Sequence, residues 1–171
     1  YLGKVMQVRI IPKIFNNRVE FRILRRDKVT KSVIESHNAK IENGWTLRHS
    51  LQAGPELIPE INLEKEGFII KNRQGTIIRD GIASQGFAAR SAIGITDDED
   101  ILLVAVSAKK GITIKQLAVL MKELKAKSAM ALDGGSSTTL VWYEEKILKT
   151  FVGSGKSPAS VNSALLVFPN K

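Results

Sequence analysis

Residues 111–142 read GITIKQLAVLMKELKAKSAMALDGGSSTTLVW, and this stretch decides the fold because a helix, a strand and a turn follow one another directly. Thr113 and Gln116 form a capping-box pair, and the apolar residues after them repeat at helical spacing, so we predict a helix over residues 113–126. The apolar run at residues 128–132 predicts a short strand. We therefore expect the apolar face of the helix to pack on a sheet that contains this strand.

The predicted strand ends at Asp133, which is followed by two glycines and four hydroxyl residues. Asp-Gly alone is typical of a tight turn, because glycine reaches positive φ without steric cost. A tight turn does not require the second glycine or the four hydroxyls. Backbone N–H groups in a glycine-rich turn can form an anion-binding concavity, and the hydroxyls can add hydrogen-bond donors. With one carboxylate as a general acid or base, the arrangement indicates chemistry on a phosphate-bearing or sugar substrate.

Two common catalytic motifs do not fit this turn. A nucleotide-hydrolase phosphate loop needs a Gly-Lys-Ser/Thr ending that opens a helix, which is absent here. The serine elbow of hydrolases places its nucleophile between two glycines, whereas Gly134 and Gly135 are adjacent.

Further strands are predicted where β-branched residues cluster between turn signals. They are KVMQVRIIPKIF (4–15), RVEFRIL (18–24), GFIIKNRQGTIIRD (67–80, two strands), ARSAIGITDDEDILLVAVS (89–107, a hairpin), KILKTFV (146–152) and NSALLVF (162–168). Residues 32–52 are mixed and polar and are predicted to be an excursion between strands. The fold class is therefore α+β, a mixed and largely antiparallel sheet with one principal helix, in a single domain over residues 1–171.

The composition is that of a globular protein, with 43% hydrophobic and 25% charged residues among 171. Cysteine is absent, which excludes disulfides, a thiolate nucleophile and a cysteine zinc site. No apolar run approaches the roughly 18 residues of a membrane helix, so no membrane span is predicted. Because the chain begins at Tyr1 without Met, we expect a trimmed parent that has lost an upstream segment.

The charge balance favours anionic partners, since 26 Lys and Arg face 17 Asp and Glu for a formal net charge of +9. The basic cluster at residues 22–28 lacks interleaved aromatic residues, so a nucleic-acid partner is not predicted. His37 and His49 have no second ligand at metal spacing, and neither a metal site nor a cofactor is predicted.

Four stretches, taken in their order along the chain, resemble one known family. They are AGPELI (53–58), ARSAIGI (89–95), the helix-to-turn stretch of residues 111–142, and VNSALLVF (161–168). Together they resemble the phosphodiester glycosidase family. By position, Asp133 matches the motif acid and is the acid-base candidate, while Arg90 matches the family arginine. We expect Arg90 to hold phosphate, because guanidinium engages two phosphate oxygens at once, with a structural ion pair as the alternative.

The resemblance also implies substrate-binding residues. They are Gly134, Gly135, Ser137, Thr138, Asn162 and Gly54. For Asn162 a strand-end hydrogen bond is the alternative role. A second catalytic carboxylate, which glycosidases usually pair with the first, is not identified; Glu56 beside the Gly-Pro element is a guess.

The predicted function is a hydrolase that cleaves the glycosidic bond of a sugar phosphodiester or a related cell-envelope glycan or exopolysaccharide. The resemblance implies an extracytoplasmic or secreted location. Three departures from the family pattern, at Ser91, Ser136 and the SAKKG loop of residues 107–111, favour an alternative. In that alternative the chain is a non-catalytic domain that binds anionic glycans.

Overall fold

The computed structural model describes residues 4–13, 16–24 and 47–167. In these ranges the chain forms eleven β-strands, one α-helix and two single-turn 3-10 helices. The strands are β1 Lys4–Lys13, β2 Asn16–Leu24, β3 Leu47–Ala53, β4 Glu56–Ile58, β5 Ile69–Lys71, β6 Ile77–Asp80, β7 Arg90–Thr96, β8 Ile101–Val106, β9 Ala126–Ala131, β10 Thr139–Glu144 and β11 Ile147–Val152. The helix α1 spans Ile114–Glu123, and the 3-10 turns are Ala108–Lys110 and Gly135–Ser137.

A four-stranded antiparallel sheet in the order β4-β9-β7-β8 forms the centre of the fold. Helix α1 covers one face and buries Leu117 and Met121 completely. The strands beneath it present small residues to the helix, among them Ala92, Ala129 and Ala131. These short side chains let the helix lie close to the sheet.

The opposite face of the central sheet carries Ile93 and Met130, both fully buried. Leu51 and Ala53 of β3 pack against them, together with Leu165. Strand β3 belongs to a second antiparallel sheet, in the order β2-β1-β3. The two central strands β7 and β9 are therefore covered on both faces, which explains the burial of consecutive residues in the middle of β7 and at the end of β9.

The structure confirms the α+β class, with largely antiparallel sheets and one main helix. The capping box of Thr113 and Gln116 is present, since each side chain accepts a hydrogen bond from the other residue's backbone N–H. The helix is three residues shorter at its end than predicted. The predicted β1–β2 pair and the β5–β6 and β7–β8 hairpins are confirmed as well.

Two sequence predictions were wrong. Residues 47–52, assigned to an excursion, belong to β3 and pair with β1, because the sheet supplies a partner that a polar local pattern does not reveal. Residues 162–167, predicted as a strand, form none and are mostly exposed, so an apolar run without a neighbouring strand does not suffice. The rest of the predicted excursion, with His37, and the basic residues 25–28 lie outside the described residues.

Candidate active site

The Asp-Gly-Gly turn lies where β9 ends, against the start of β7. Beyond the last paired residue of β9, Leu132 donates its N–H to the Ser91 carbonyl at 2.8 Å, and Gly135 donates to the Ala89 carbonyl at 2.9 Å. The Ser91 hydroxyl donates to the backbone carbonyl of Asp133 at 2.6 Å. The turn is therefore held by three hydrogen bonds to Ala89 and Ser91, the residues on either side of the first residue of β7.

Each glycine of the turn has its own structural reason. A Cβ at Gly134 would lie 3.0 Å from the carbonyl oxygen of Ala89, which is closer than most real contacts. Gly135 has a φ of +61°, a conformation that costs any other L-residue roughly 1–2 kcal/mol, although open space surrounds it. The pair is thus required by backbone packing at one position and by backbone conformation at the next.

The turn leaves polar groups available at its outer surface. The Asp133 and Ser136 side chains are exposed, and Ser137 is half-buried. Among the described residues, the backbone N–H groups of Gly134 and Ser136 donate to no protein acceptor. A carboxylate therefore stands next to free donors of the kind that bind phosphate oxygens.

Arg90, the first residue of β7, lies beneath this turn and is only 6% exposed. Its guanidinium donates to four backbone carbonyls: Nε to Ile112 at 3.1 Å, Nη1 to Ile82 at 2.9 Å, and Nη2 to Ala83 at 2.8 Å and Gly86 at 2.9 Å. A guanidinium has five N–H donors, so one on Nη1 remains. Arg90 therefore holds the loop of residues 82–86, and also Ile112 just before α1, against the start of β7.

Burial lowers the pKa of Arg90, and the nearby Asp80 carboxylate acts in the opposite direction. Because the ordinary pKa of arginine lies far above neutral pH, the guanidinium stays charged at neutral pH. The sequence predicts a structural ion pair as the alternative role of Arg90. The structure instead shows hydrogen bonds to backbone carbonyls, with the Asp80 carboxylate as a neighbouring charge.

Sequence reasoning missed Asp80, which shapes the same loop. Its carboxylate accepts from the backbone N–H of Ile82 at 3.3 Å and from both the N–H and the hydroxyl of Ser84, at 2.7 and 2.8 Å. Ser84 is 1% exposed, and its carbonyl accepts the N–H of Ile114 at the start of α1. The Asp80-Gly81 pair is a turn signal in the sequence, but nothing in it indicates the electrostatic effect of Asp80 on Arg90.

Thr138 closes the turn from inside and is completely buried. Its carbonyl accepts the N–H of Gly153 at 2.8 Å, and a Cβ at Gly153 would lie 2.7 Å from the Thr138 side chain. The Thr138 hydroxyl has no hydrogen-bond partner among the described residues, and the same holds for Thr139. Thr138 is therefore part of the packing under the turn, and its predicted contact with substrate stays a prediction.

A second loop, residues 107–111, lies beside the turn. Ala108 donates its N–H to the carbonyl of Gly153 at 2.7 Å, and Gly153 in turn donates to Thr138. At the other end of the loop, a Cβ at Gly111 would lie 2.7 Å from the backbone nitrogen of Ala88. The loop therefore packs between Gly153 on one side and Ala88 on the other. It carries the exposed residues Lys109 and Lys110.

The remaining predicted residues lie at different distances from the turn. Gly54 precedes Pro55, whose carbonyl accepts the N–H of Ala131, so the Gly-Pro element lies beside the end of β9. Glu56 follows on β4 and is 5% exposed. Asn162 is exposed in a segment without regular structure, and no hydrogen bond among the described residues joins it to the turn.

The described residues contain no group of three or more His, Cys, Asp or Glu side chains that could hold a metal ion. Within the same ranges, no helix is both long enough and apolar enough to cross a membrane.

The fold and the turn thus define an α+β domain in which one exposed acid stands beside two backbone N–H groups that donate to no described residue. The chain belongs to the phosphodiester glycosidase family, whose sequence model matches residues 5–168.

Three solved structures resemble this chain. The catalytic domain of zebrafish N-acetylglucosamine-1-phosphodiester alpha-N-acetylglucosaminidase, auto-inhibited by its pro-peptide, is 19% identical, with a TM-score of 0.52 over 81% of this chain and 41% of that one. A hypothetical protein from Synechocystis is 24% identical, with a TM-score of 0.43 over 81% of this chain and 30% of that one. A protein of Burkholderia pseudomallei K96243 that is proposed to be exported is 21% identical, with a TM-score of 0.45 over 80% of this chain and 24% of that one.

At this identity the zebrafish structure supports the fold alone. The chain spans 24% to 41% of the length of these three structures. Among curated protein sequences, none matches this chain.

Proposed function

We propose that this chain hydrolyses the glycosidic bond of a sugar phosphodiester, or of a related cell-envelope glycan, at the Asp-Gly-Gly turn. The observation that carries the proposal is the exposed Asp133 carboxylate beside the free N–H groups of Gly134 and Ser136, in a chain of the phosphodiester glycosidase family. The zebrafish relative is described as acting on an N-acetylglucosamine 1-phosphodiester, which makes this sugar the first to test.

The proposed reaction breaks the bond between the anomeric carbon and the phosphate oxygen, and its electron pair stays on that oxygen. A water oxygen bonds to the anomeric carbon, and the proton that the water loses passes to Asp133 and then to solvent. The leaving phosphate monoester is already stabilised as an anion, so it needs less protonation than an alkoxide does. This supports a site in which one carboxylate stands beside anion-binding groups.

In this proposal the backbone of the turn contacts the phosphate, with Ser137 adding a hydroxyl donor. Preorganised N–H groups suit a developing negative charge because they need no reorganisation as the bond breaks. The predicted role of Arg90 as a phosphate ligand stays a prediction that would rest on its one remaining N–H. Its four carbonyl bonds support a positioning role, in which it holds the loop of residues 82–86 under the turn.

A second candidate function is a non-catalytic domain that binds anionic glycans. The engagement of Arg90 with carbonyls and the net charge of +9 favour it. In that case the same turn would bind phosphorylated sugar without releasing it. The location outside the cytoplasm, and the link to exopolysaccharide, remain predictions from the family resemblance.

The experiment is sugar release from a panel of sugar 1-phosphodiesters and cell-wall glycans, starting with N-acetylglucosamine 1-phosphodiesters. The chain is compared with Asp133→Asn and with the control Asp97→Asn, which makes the same change in an exposed acidic turn. We expect Asp133→Asn to lower kcat about 100- to 10,000-fold, the usual range for losing a general acid or base. Asp97→Asn should leave kcat unchanged.

Unchanged turnover in Asp133→Asn would overturn the assignment of this acid. Absence of release by the unmodified chain, together with measurable binding of phosphorylated glycan, would favour the binding domain.

A further inference from the structure

The structure leaves a question of charge at the proposed site. A phosphodiester carries a negative charge, yet the cation beneath the turn, Arg90, gives four of its five donors to backbone carbonyls. The positive charge of Arg90 remains, but its side chain is buried and has one N–H donor left for a substrate. An exposed cation beside the turn would add attraction for a phosphodiester over a neutral glycoside.

We propose that Lys109 and Lys110, on the 3-10 turn Ala108–Lys110, supply this charge and make the site selective for anionic substrates. The inference rests on the proposed function, because it assigns the substrate contact of the same site. It names a phosphate group, joined to the anomeric carbon of the sugar, as the chemistry that the two lysines recognise.

The placement of this loop supports the proposal. Ala108 donates to Gly153 at 2.7 Å and Gly153 donates to Thr138 at 2.8 Å, so only one residue separates the two loops in this chain of bonds. On the other side, Ile112 and Ala88 exchange backbone hydrogen bonds of 3.1 and 3.4 Å, which tie the end of the loop to residue 88. The position of both lysines is therefore fixed by backbone packing on either side of them.

The side chains of both lysines are also available. Each is exposed, and neither makes an ion pair with any described residue, whereas Lys71 and Lys149 are paired with glutamates. Local backbone bonds hold their turn in shape: the Ser107 hydroxyl accepts the N–H of Lys109, and the Ala108 carbonyl accepts that of Gly111. The two ammonium groups thus stand on a turn held by backbone bonds, and no carboxylate of the described residues pairs with them.

The test compares two substrates that share a sugar and differ in charge: UDP-N-acetylglucosamine and the neutral 4-nitrophenyl N-acetyl-α-glucosaminide. The variant is Lys109→Gln with Lys110→Gln. The matched control is Lys122→Gln with Lys127→Gln, which removes the same charge from exposed positions. Lys127 is six residues before Asp133 along β9, or about 20 Å at the usual rise per residue.

For UDP-N-acetylglucosamine we expect KM to rise about tenfold in the Lys109/Lys110 variant, since each tenfold corresponds to about 1.4 kcal/mol and exposed charge pairs contribute on that order. The KM of the neutral glycoside and both kcat values should stay within about twofold, as should every value of the control. Raising the salt concentration should weaken the binding of the charged substrate to the unmodified chain and have little effect on its binding to the variant. An equal rise of KM for both substrates, or an equal effect of the control, would overturn the inference.

Binding separates this inference from the proposed function. The glycosidase proposal fails if the unmodified chain releases sugar from no member of the panel, and calorimetric titration with N-acetylglucosamine 1-phosphate then decides the role of the lysines. Binding that weakens about tenfold in the variant and not in the control would support that role. Binding that is equal in both variants, or undetectable in the unmodified chain, would overturn it.

Discussion

The residues at and around the proposed site fall into two regions with opposite surroundings. Arg90, Thr138 and the Gly134 backbone lie in the base under the turn, where each is packed against backbone. Asp133, Ser136 and the two lysines lie on the rim, where each is exposed. The difference teaches that a matching motif mixes residues that build a site with residues that can touch a substrate.

The two regions should respond differently to substitution. Changes in the base should alter the free energy of unfolding and affect activity only through it, because these side chains contact the protein. Changes on the rim should affect activity at constant stability.

The largest effect on stability is expected for Arg90→Gln, which removes a charged donor from four partly buried carbonyls. Since a hydrogen bond to a charged group contributes roughly 1.5–3 kcal/mol, the free energy of unfolding should fall by about 3–6 kcal/mol. Arg90→Lys should recover part of this loss by keeping the charge and some of the donors. Denaturant unfolding of both variants measures the change.

Arg73→Gln is the control, because Arg73 is exposed and should shift stability by less than about 0.5 kcal/mol. If Arg90→Gln instead unfolds like the unmodified chain but binds N-acetylglucosamine 1-phosphate more weakly, Arg90 belongs to the rim, as the sequence motif implied.

An intermediate effect is expected for Gly135→Ala, which forces a positive φ of +61° on a residue with a side chain. Gly75→Ala is a close match, since Gly75 has a φ of +82° and also has open space around it. Both should lose about 1–2 kcal/mol of stability. Only Gly135→Ala should lower kcat, because only the turn that contains Gly135 holds the proposed site. Equal activity in the two variants would contradict the placement of the site at this turn.

The smallest effect is expected for Thr138→Val, and its sign is informative. The buried Thr138 hydroxyl has no partner among the described residues, so removing it should stabilise the protein by about 1 kcal/mol. Thr113→Val should do the opposite and cost about 1 kcal/mol, because the Thr113 hydroxyl caps α1. Thermal unfolding compares the two; destabilisation by Thr138→Val would show that this hydroxyl is satisfied in the folded protein.

Local patterns predicted much of this fold. The capping box, the two hairpins and the Asp-Gly-Gly turn all depend on residues close in sequence, and each appears where the pattern places it. Strand β3 was missed because its pairing with β1 is a long-range contact that a polar sequence does not show.

The site was less predictable for the same reason. The four carbonyls that engage Arg90 come from residues 82–86 and from Ile112, segments that only the tertiary fold brings together. A sequence match can identify the arginine, but it does not reveal whether its donors face a substrate or the backbone. Likewise, the placement of the 107–111 loop beside the turn depends on the backbone hydrogen bonds of Gly153, a residue that belongs to no recognised motif.

The central claim is that Asp133 on the rim serves cleavage at the anomeric carbon, and ¹⁸O-labelled water tests it most directly. UDP-N-acetylglucosamine is incubated in labelled water with the chain and with Asp133→Asn, and the released UDP is analysed by mass spectrometry. We predict unlabelled UDP from the unmodified chain, because water attacks carbon, and strongly reduced release from the variant. Labelled UDP, which requires attack at phosphorus, or undiminished release from Asp133→Asn would contradict the account.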